Sequence, residues 1–375
     1  MKLVLAMTRK EFIQLRRDPR LVGFILFFPV LLMILFGMAL KLEPENVLMA
    51  YVDNDQSLFS DLIKTNIWSE GYFMLYEVAD ETAIIRDIQL GRARAGLYIP
   101  DNFSAILIEN KQPTVQMYVD GTMPSLATAM DNNKHAITDD AVTNDMYFLD
   151  PDEENVIVAE DPFLLDVEVL FNPDKRETWF FLPGVVGVLV MQVSLILTAT
   201  AVVREKEYRT LEQLLASPLT RTSFIIGKIL PYVIIAFIDF YIVLLLGAWL
   251  FGLPFPLASQ VPLFLLAFAY VAGLIALGVA ISTFSQTQQQ AIFLSIFFLI
   301  PSILLSGFIF PVEAMPNYIQ PISWLLPFTY FVEIIRGLLL KGNTFSDLAG
   351  NYLVLLGFAL VFTWMSIVRF RKYLD

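Results

Sequence analysis

Long apolar runs alternate with short charged segments along most of the chain, and one long polar region separates the first run from the others. Hydrophobic runs of about 18 residues or more are candidates for membrane-spanning helices. At a rise of about 1.5 Å per residue, such helices can cross about 30 Å of hydrocarbon. The pattern predicts six spans, at about residues 21–40, 180–203, 224–251, 261–284, 289–310 and 349–369.

The composition supports a membrane protein. Of the 375 residues, 57% are hydrophobic and only 17% are charged, whereas about 25% of the residues in a typical soluble domain are charged. The chain contains no Cys, which excludes disulfide bonds and thiolate metal sites. The first span follows a charged 20-residue segment and lacks a clear cleavage site, so it is not interpreted as a cleaved signal peptide.

Charge is distributed unevenly along the chain. Residues 41–178 hold 27 acidic and 9 basic residues, a net charge of −18, while the whole chain has a net charge of −12. Nucleic acid is not expected to bind this acidic region, because its phosphates would be repelled. Basic residues concentrate before the first span, between spans two and three, and after span six. This distribution predicts cytoplasmic termini and an external position for residues 41–178.

Residues 1–20 combine apolar and basic positions in a pattern that predicts an amphipathic helix lying in the membrane interface. A simple topology anchor explains the same pattern, and both interpretations remain open.

The acidic region predicts a small α/β domain. Strand-like and helix-like segments alternate from "NVLMAYVDND" to "TVQMYVDG", and the helix in "DETAIIRDIQLGR" is expected to end near Gly91. The fold of residues 135–178 cannot be read from the pattern.

Residues 311–342 are apolar, but prolines interrupt them at positions 311, 316, 321 and 327. A single straight span tolerates such interruptions poorly. The pattern therefore favours a pair of short helices that re-enter the outer face of the membrane. An ordinary seventh span at residues 322–340 is the alternative, and the basic C-terminal "RFRK" argues against it.

Together these patterns predict an α-helical polytopic membrane protein with six transmembrane helices, re-entrant outer helices and an inserted α/β extracytoplasmic domain. The predicted regions are an interface helix at 1–20, the first transmembrane helix at 21–40, the acidic domain at 41–178, and transmembrane helices two to six within 179–375.

The segment "REKEYRTLEQLLASPLT", which begins at Arg204, places dense charge between two apolar spans. A helix over residues 204–218 has one apolar face, with Tyr208 and Leu211, and one charged face, with Glu205 and Glu212. This spacing predicts a short amphipathic helix at the cytoplasmic surface. A solvated loop helix without a partner is the alternative interpretation.

Three regions resemble the type-2 ABC exporter permeases, in the branch with a large extracytoplasmic domain after the first span. They are the pattern E-x-E-x-x-T-x-E-x-L-x-x-S-P that begins at Glu205, residues 288–342, and the strands of the acidic region. In that family the first region contacts the ATP-binding subunit. The resemblance implies this coupling role for Arg204, Glu205, Glu207, Thr210, Glu212, Leu214, Ser217 and Pro218. It implies a re-entrant segment that contains Pro311, Pro316, Pro327, Glu333, Arg336 and Gly337.

The resemblance also implies an activity and a set of partners. The chain would be a permease of the bacterial inner membrane that exports hydrophobic or amphiphilic cargo, such as a drug or a lipid. Its implied partners are the lipid bilayer, a cytoplasmic ATP-binding subunit that uses ATP and Mg, a second permease subunit, identical or not, and a candidate periplasmic adaptor. The chain has no phosphate-binding loop of the G-x-x-x-x-G-K-[ST] type, so ATP hydrolysis is expected in a separate chain. The permease itself is expected to bind no cofactor.

Asp239 is an acidic residue deep within a predicted span, where a carboxylate is expected to face protein or water. It is either a transport-path residue or a structural hydrogen-bond partner. His135 is the only His, so a zinc site is not supported. The acidic residues around position 152 lack the spacing of a calcium loop, and no catalytic or metal-binding residues are predicted.

Two other functions fit part of the pattern. A membrane-anchored sensor or assembly factor would use the acidic domain for binding, but six spans exceed what an anchor needs. A secondary transporter is disfavoured by the single intramembrane acid and by the absence of evident repeats.

Overall fold

The computed structural model describes residues 9, 13, 47–69, 73–109, 111–124, 126–128, 130, 163–208, 221–309, 312, 315 and 318–374. Contacts divide the chain into two compact units. One covers Leu40–Phe180, and the other includes Phe181–Val312 and Asn317–Asp375. The first is called the sheet unit and the second the helical unit.

The sheet unit is built on five strands in the order β2-β1-β3-β4-β5. Strand β1 pairs in parallel with β2 and β3, β3 pairs antiparallel with β4, and β4 pairs in parallel with β5. The elements along the chain are β1 (Val47–Asp53), α1 (Leu58–Ser69), β2 (Phe73–Glu77), α2 (Glu81–Leu90), β3 (Ala95–Ile99), α3 (Phe103–Ile108), β4 (Thr114–Asp120) and β5 (Leu164–Leu170).

Local sequence explains most of these elements. The Asp80 side chain accepts a hydrogen bond from the amide of Ala83 and caps α2, and Gly91 ends α2 with a φ of 77°, a left-handed conformation that favours glycine. The strands and helices predicted from "NVLMAYVDND" to "TVQMYVDG" are present. Helix α3 and strand β5 were not predicted, and the external position of this unit stays a prediction.

Five helices among the described residues are long and apolar enough to cross a membrane. The predicted first span at residues 21–40 lies outside the described residues, as do nearly all of residues 1–20, so the count of six stays a prediction. The five helices are α4 (Glu177–Glu207), α5 (Arg221–Phe251), α6 (Gln260–Phe284), α7 (Gln288–Leu305) and, after two short helices, α10 (Ala349–Leu374).

Two short helices, α8 (Gln320–Ser323) and α9 (Pro327–Leu339), occupy the region that the prolines interrupt. Proline stands in the first turn of each, where its missing amide hydrogen costs nothing. The 13 residues of α9 extend about 20 Å, less than the roughly 30 Å of a bilayer core. Helix α9 is therefore too short to be a seventh span, and its re-entry into the membrane stays a prediction.

An aromatic cluster packs α9 against α4, α5 and α6. The rings of Tyr270 and Phe331 stack with centroids 4.3 Å apart, and Phe240 meets Phe331 edge-on. The Tyr270 hydroxyl donates to the carbonyl of Gly187 at 3.3 Å. A Cβ atom at Gly187 would lie 2.4 Å from the Phe331 ring. Glycine on α4 therefore makes room for the aromatic side chains of α9.

We expect Gly187→Ala to lower the stability of the helical unit, by about 1–3 kcal/mol, because the added methyl group must displace Phe331 from a filled core. Gly357→Ala on α10 is the matched control, since a Cβ there meets nothing within 4 Å and Ala favours the helix. Thermal unfolding of both variants in detergent measures the difference. Equal stability of the two variants would show that the close approach at Gly187 is not a constraint.

Candidate functional site

The last turn of α4 carries four consecutive charged residues, Arg204–Glu207. Helix α4 continues without a break from Glu177 to Glu207, so these four residues end the span rather than begin a separate helix. The sequence prediction of a helix start at Arg204 is corrected on this point: no Pro or Gly separates Val203 from the charged residues. Five of the predicted coupling residues lie outside the described residues, namely Thr210, Glu212, Leu214, Ser217 and Pro218.

Glu205 forms a buried ion pair with Lys228 of α5. The Lys228 ammonium nitrogen lies 3.0 Å from the Glu205 carboxylate, and the two side chains are only 2% and 5% exposed. Helical spacing predicted a charged face turned to water or a partner for Glu205; within this chain the side chain is instead buried against α5. A carboxylate can be buried here because an ammonium group compensates its lost hydration. The pair joins the helices on either side of residues 209–220.

The neighbouring charged residues bind the start of α7. The Lys206 ammonium group donates to the carbonyl of Ser285 at 2.7 Å. The Glu207 carboxylate accepts from the side-chain amide of Gln288 at 2.9 Å and from its backbone N–H at 3.2 Å. A carboxylate is stabilised at this position because the first amides of a helix have no partner within the helix.

Arg204 completes this arrangement, since its guanidinium donates to the Gln288 side-chain oxygen at 3.4 Å. We name the whole set the charged junction. It consists of Arg204, Glu205, Lys206, Glu207, Lys228, Ser285 and Gln288. Through it one turn of α4 is bonded both to α5 and to the loop before α7.

Sequence reasoning identified three residues of the charged junction and missed the others as site residues. Lys206 and Lys228 were counted only as basic residues near a span. Ser285 and Gln288 carry no charge and stand 79 and 84 positions from their partners. The one available signal was the polar run "SQTQQQ" between two apolar spans, which marks a helix start without identifying its partner.

Asp239 lies on the buried face of α5. It is 5% exposed, next to the fully buried Phe240, and its Oδ2 atom has no hydrogen-bond partner among the residues the structure describes. The carboxylate therefore faces protein rather than lipid, as the cost of an exposed intramembrane charge requires. Neither of the two roles considered for Asp239 is tested by this position.

Two residues predicted for the re-entrant segment anchor α9. The Arg336 guanidinium donates to the carbonyls of Gly307 and Phe308 at 2.9 and 3.0 Å, just beyond the end of α7. The Glu333 carboxylate accepts from Asn351 of α10 at 2.7 Å. These contacts fix α9 between α7 and α10.

Two further residues of that segment have different surroundings. A Cβ atom at Gly337 would lie 3.0 Å from the Asn343 amide nitrogen, so glycine permits a close approach there. Pro327 begins α9 and is buried.

Pro311 and Pro316 lie outside the described residues, as does His135. Within the described part of the chain, no group of three His, Cys, Asp or Glu residues is placed to hold a metal ion.

We expect Lys228→Met to destabilise the helical unit by about 3–5 kcal/mol, because it leaves the Glu205 carboxylate buried without its partner. The matched control is the double substitution Glu205→Leu/Lys228→Met, which removes both charges and should recover most of the stability. Apparent melting temperatures in detergent measure both variants. A single variant as stable as the unmodified protein would show that the pair is not a buried constraint.

The chain matches known transporters over nearly its full length. Residues 19–368 match the family model described as ABC-2 family transporter protein. The chain is 27% identical to the probable multidrug ABC transporter permease YbhS of Escherichia coli, over 99% of this chain and 97% of the relative. It is 32% identical to the probable multidrug ABC transporter permease YbhR of the same organism, over 89% and 88%. It is 22% identical to the linearmycin resistance permease protein LnrN of Bacillus subtilis, over 96% and 97%. The chain belongs to the ABC-2 family of transporter permeases.

Proposed function

We propose that this permease exports hydrophobic or amphiphilic cargo from the cell and that the charged junction receives the force of the ATP cycle of a partner subunit. As an ABC-2 permease subunit, the chain works in a bilayer with an ATP-binding subunit. The match over residues 19–368 favours this proposal over a membrane-anchored sensor or assembly factor.

The observation that carries the proposal is the position of the charged junction. Its α4 residues lie immediately before residues 209–220, which hold the rest of the coupling pattern, and the buried Glu205–Lys228 pair joins α4 to α5, the helices on either side of that segment. Burying two charges is costly even when they are paired. A pair at this position keeps α4 and α5 together where a partner would push on the chain.

The proposed cargo follows from the chemistry of the helices and from the relatives. The described spans are strongly apolar, and Asp239 is the carboxylate buried in the middle of α5. Relatives are named for multidrug transport and for linearmycin resistance, which supports hydrophobic or amphiphilic compounds as the class. Asp239 remains a candidate transport-path residue.

The remaining parts of the proposal concern partners and placement. ATP and Mg are bound by the separate ATP-binding subunit, a second permease subunit completes the transport path, and a periplasmic adaptor is a further candidate partner. Both termini lie in the cytoplasm and the sheet unit lies outside it, as the distribution of basic residues supports. A permease of the Escherichia coli inner membrane is among the relatives, which supports the same membrane for this chain.

We expect Glu212→Ala/Leu214→Ala to reduce recovery of the ATP-binding subunit with the permease by about ten-fold or more, because central contacts dominate such interfaces. The matched control is Ile108→Ala/Glu109→Ala, which removes one exposed apolar and one exposed acidic side chain from the sheet unit. Affinity purification in mild detergent measures the amount of ATP-binding subunit per permease.

The same variants are tested for ATP-dependent uptake of ethidium into inside-out membrane vesicles. Uptake should fall with the loss of the subunit and stay unchanged in the control. Full recovery of the subunit and full uptake in the Glu212→Ala/Leu214→Ala variant would contradict the coupling role of this segment.

A further inference from the structure

The last turn of α4 is bonded to two different helices, and the bonds differ in kind. Glu205 reaches α5 through a buried ion pair. Lys206 and Glu207 reach the start of α7 through hydrogen bonds to Ser285 and Gln288. In the second set only Glu207 belongs to the coupling pattern, since Lys206, Ser285 and Gln288 fall outside it.

The loop between α6 and α7 is short, and each of its three residues forms a hydrogen bond. The Ser285 hydroxyl donates to the carbonyl of Ile281 at 3.0 Å, and the backbone N–H of Gln286 donates to the side chain of Gln290 at 2.8 Å. The Thr287 side chain caps α7 by accepting from the amide of Gln290. Gln288 is the first residue of α7, so a displacement of Gln288 displaces the start of that helix.

The described spans differ in how much of their surface is buried within the helical unit. In the most apolar 18-residue stretch of each helix, 89% is buried in α4 and only 17% is buried in α7. A helix with few buried contacts shifts at lower cost than one within a packed core. The bonds at the start of α7 are therefore among the contacts that fix its position in this chain.

We infer that Lys206, Glu207 and Gln288 form a polar latch through which the end of α4 carries the start of α7 when ATP binds to the partner subunit. The inference rests on the proposed function and deepens it, because it identifies α7 as the helix that the coupling segment moves. The three residues are positioning residues: they act on the transport path through α7. The bonds of Glu207 and Lys206 are charge-assisted, which makes them stronger than neutral hydrogen bonds.

The experiment uses the purified complex of the full chain with its ATP-binding subunit. The chain has no Cys, so Phe293→Cys on α7 and Leu353→Cys on α10 create the only labelling sites in it. Both positions are exposed. Spin labels there report the distance between α7 and α10 without nucleotide and with a non-hydrolysable ATP analogue and Mg.

In the labelled protein that retains the latch, we expect the analogue to shift this distance. Gln288→Ala removes the side-chain bonds to Arg204 and Glu207 and keeps the backbone bond, so we expect the shift to be reduced, while the ATP-binding subunit still co-purifies and hydrolyses ATP. Ethidium uptake per ATP hydrolysed should fall by about three- to ten-fold, the range typical of residues that modulate coupling between sites. Gln289→Ala, at the exposed adjacent position, is the matched control and should keep both the shift and the uptake.

A conservative variant separates the latch from a merely structural role. Glu207→Leu removes both bonds to Gln288 and should reduce the shift at least as much as Gln288→Ala. Glu207→Gln keeps a side-chain oxygen that can accept the same two bonds, so it should retain most of the shift.

A distance that does not respond to the analogue, or a Gln288→Ala variant that keeps the full shift, would overturn the latch while leaving the complex intact. Failure of the unmodified chain to bind any ATP-binding subunit would instead overturn the proposed function.

Discussion

The helical unit depends on a buried charge pair at one end of its most deeply packed span. Glu205 and Lys228 lie almost entirely out of solvent, in a chain where most spans contain no charge at their centre. Neither charge is tolerable there alone, so the helices α4 and α5 must meet at this level. The other charged side chains of the turn are then placed to reach Ser285 and Gln288.

The opposite half of α4 is held by shape rather than by charge. Gly184 and Gly187 leave room for Phe308 and Phe331, whose rings lie where a Cβ atom would otherwise be. Phe331 belongs to α9, and Arg336 of the same helix binds the carbonyls that follow α7. Helix α4 therefore contacts the surroundings of α7 at both ends: through polar bonds at Gln288 and through aromatic packing at Phe308. A force applied at one end of α4 has a continuous path to the region of α9.

Much of this architecture follows from sequence patterns. Four spans between residues 180 and 310, the last span, and the strands and helices from Val47 to Asp120 arise from local periodicity and from capping residues such as Asp80 and Gly91. Strand β5 was missed because it pairs with β4 across a gap of 43 residues in an acidic stretch, and local pattern carries no information on such a partner.

The charged junction was only partly predictable for the same reason. Helical spacing placed Glu205 on a face for water or a partner because it counts polarity along one helix. The structure buries this residue because Lys228 stands opposite on another helix. Gln288 is uncharged and lies beside two further glutamines, so nothing local distinguishes it from Gln289. Contacts between helices that are distant in sequence decide which residues of this site matter.

If the polar latch holds, the end of α4 and the start of α7 move as one body during the ATP cycle. Cryo-electron microscopy of the permease bound to its ATP-binding subunit, without nucleotide and with a non-hydrolysable ATP analogue, tests this movement directly. We expect the Glu207 carboxylate and the Gln288 amide to stay within hydrogen-bond distance in both states, while both shift together relative to α10. Separation of these two groups when the analogue binds, with α7 left in place, would contradict it.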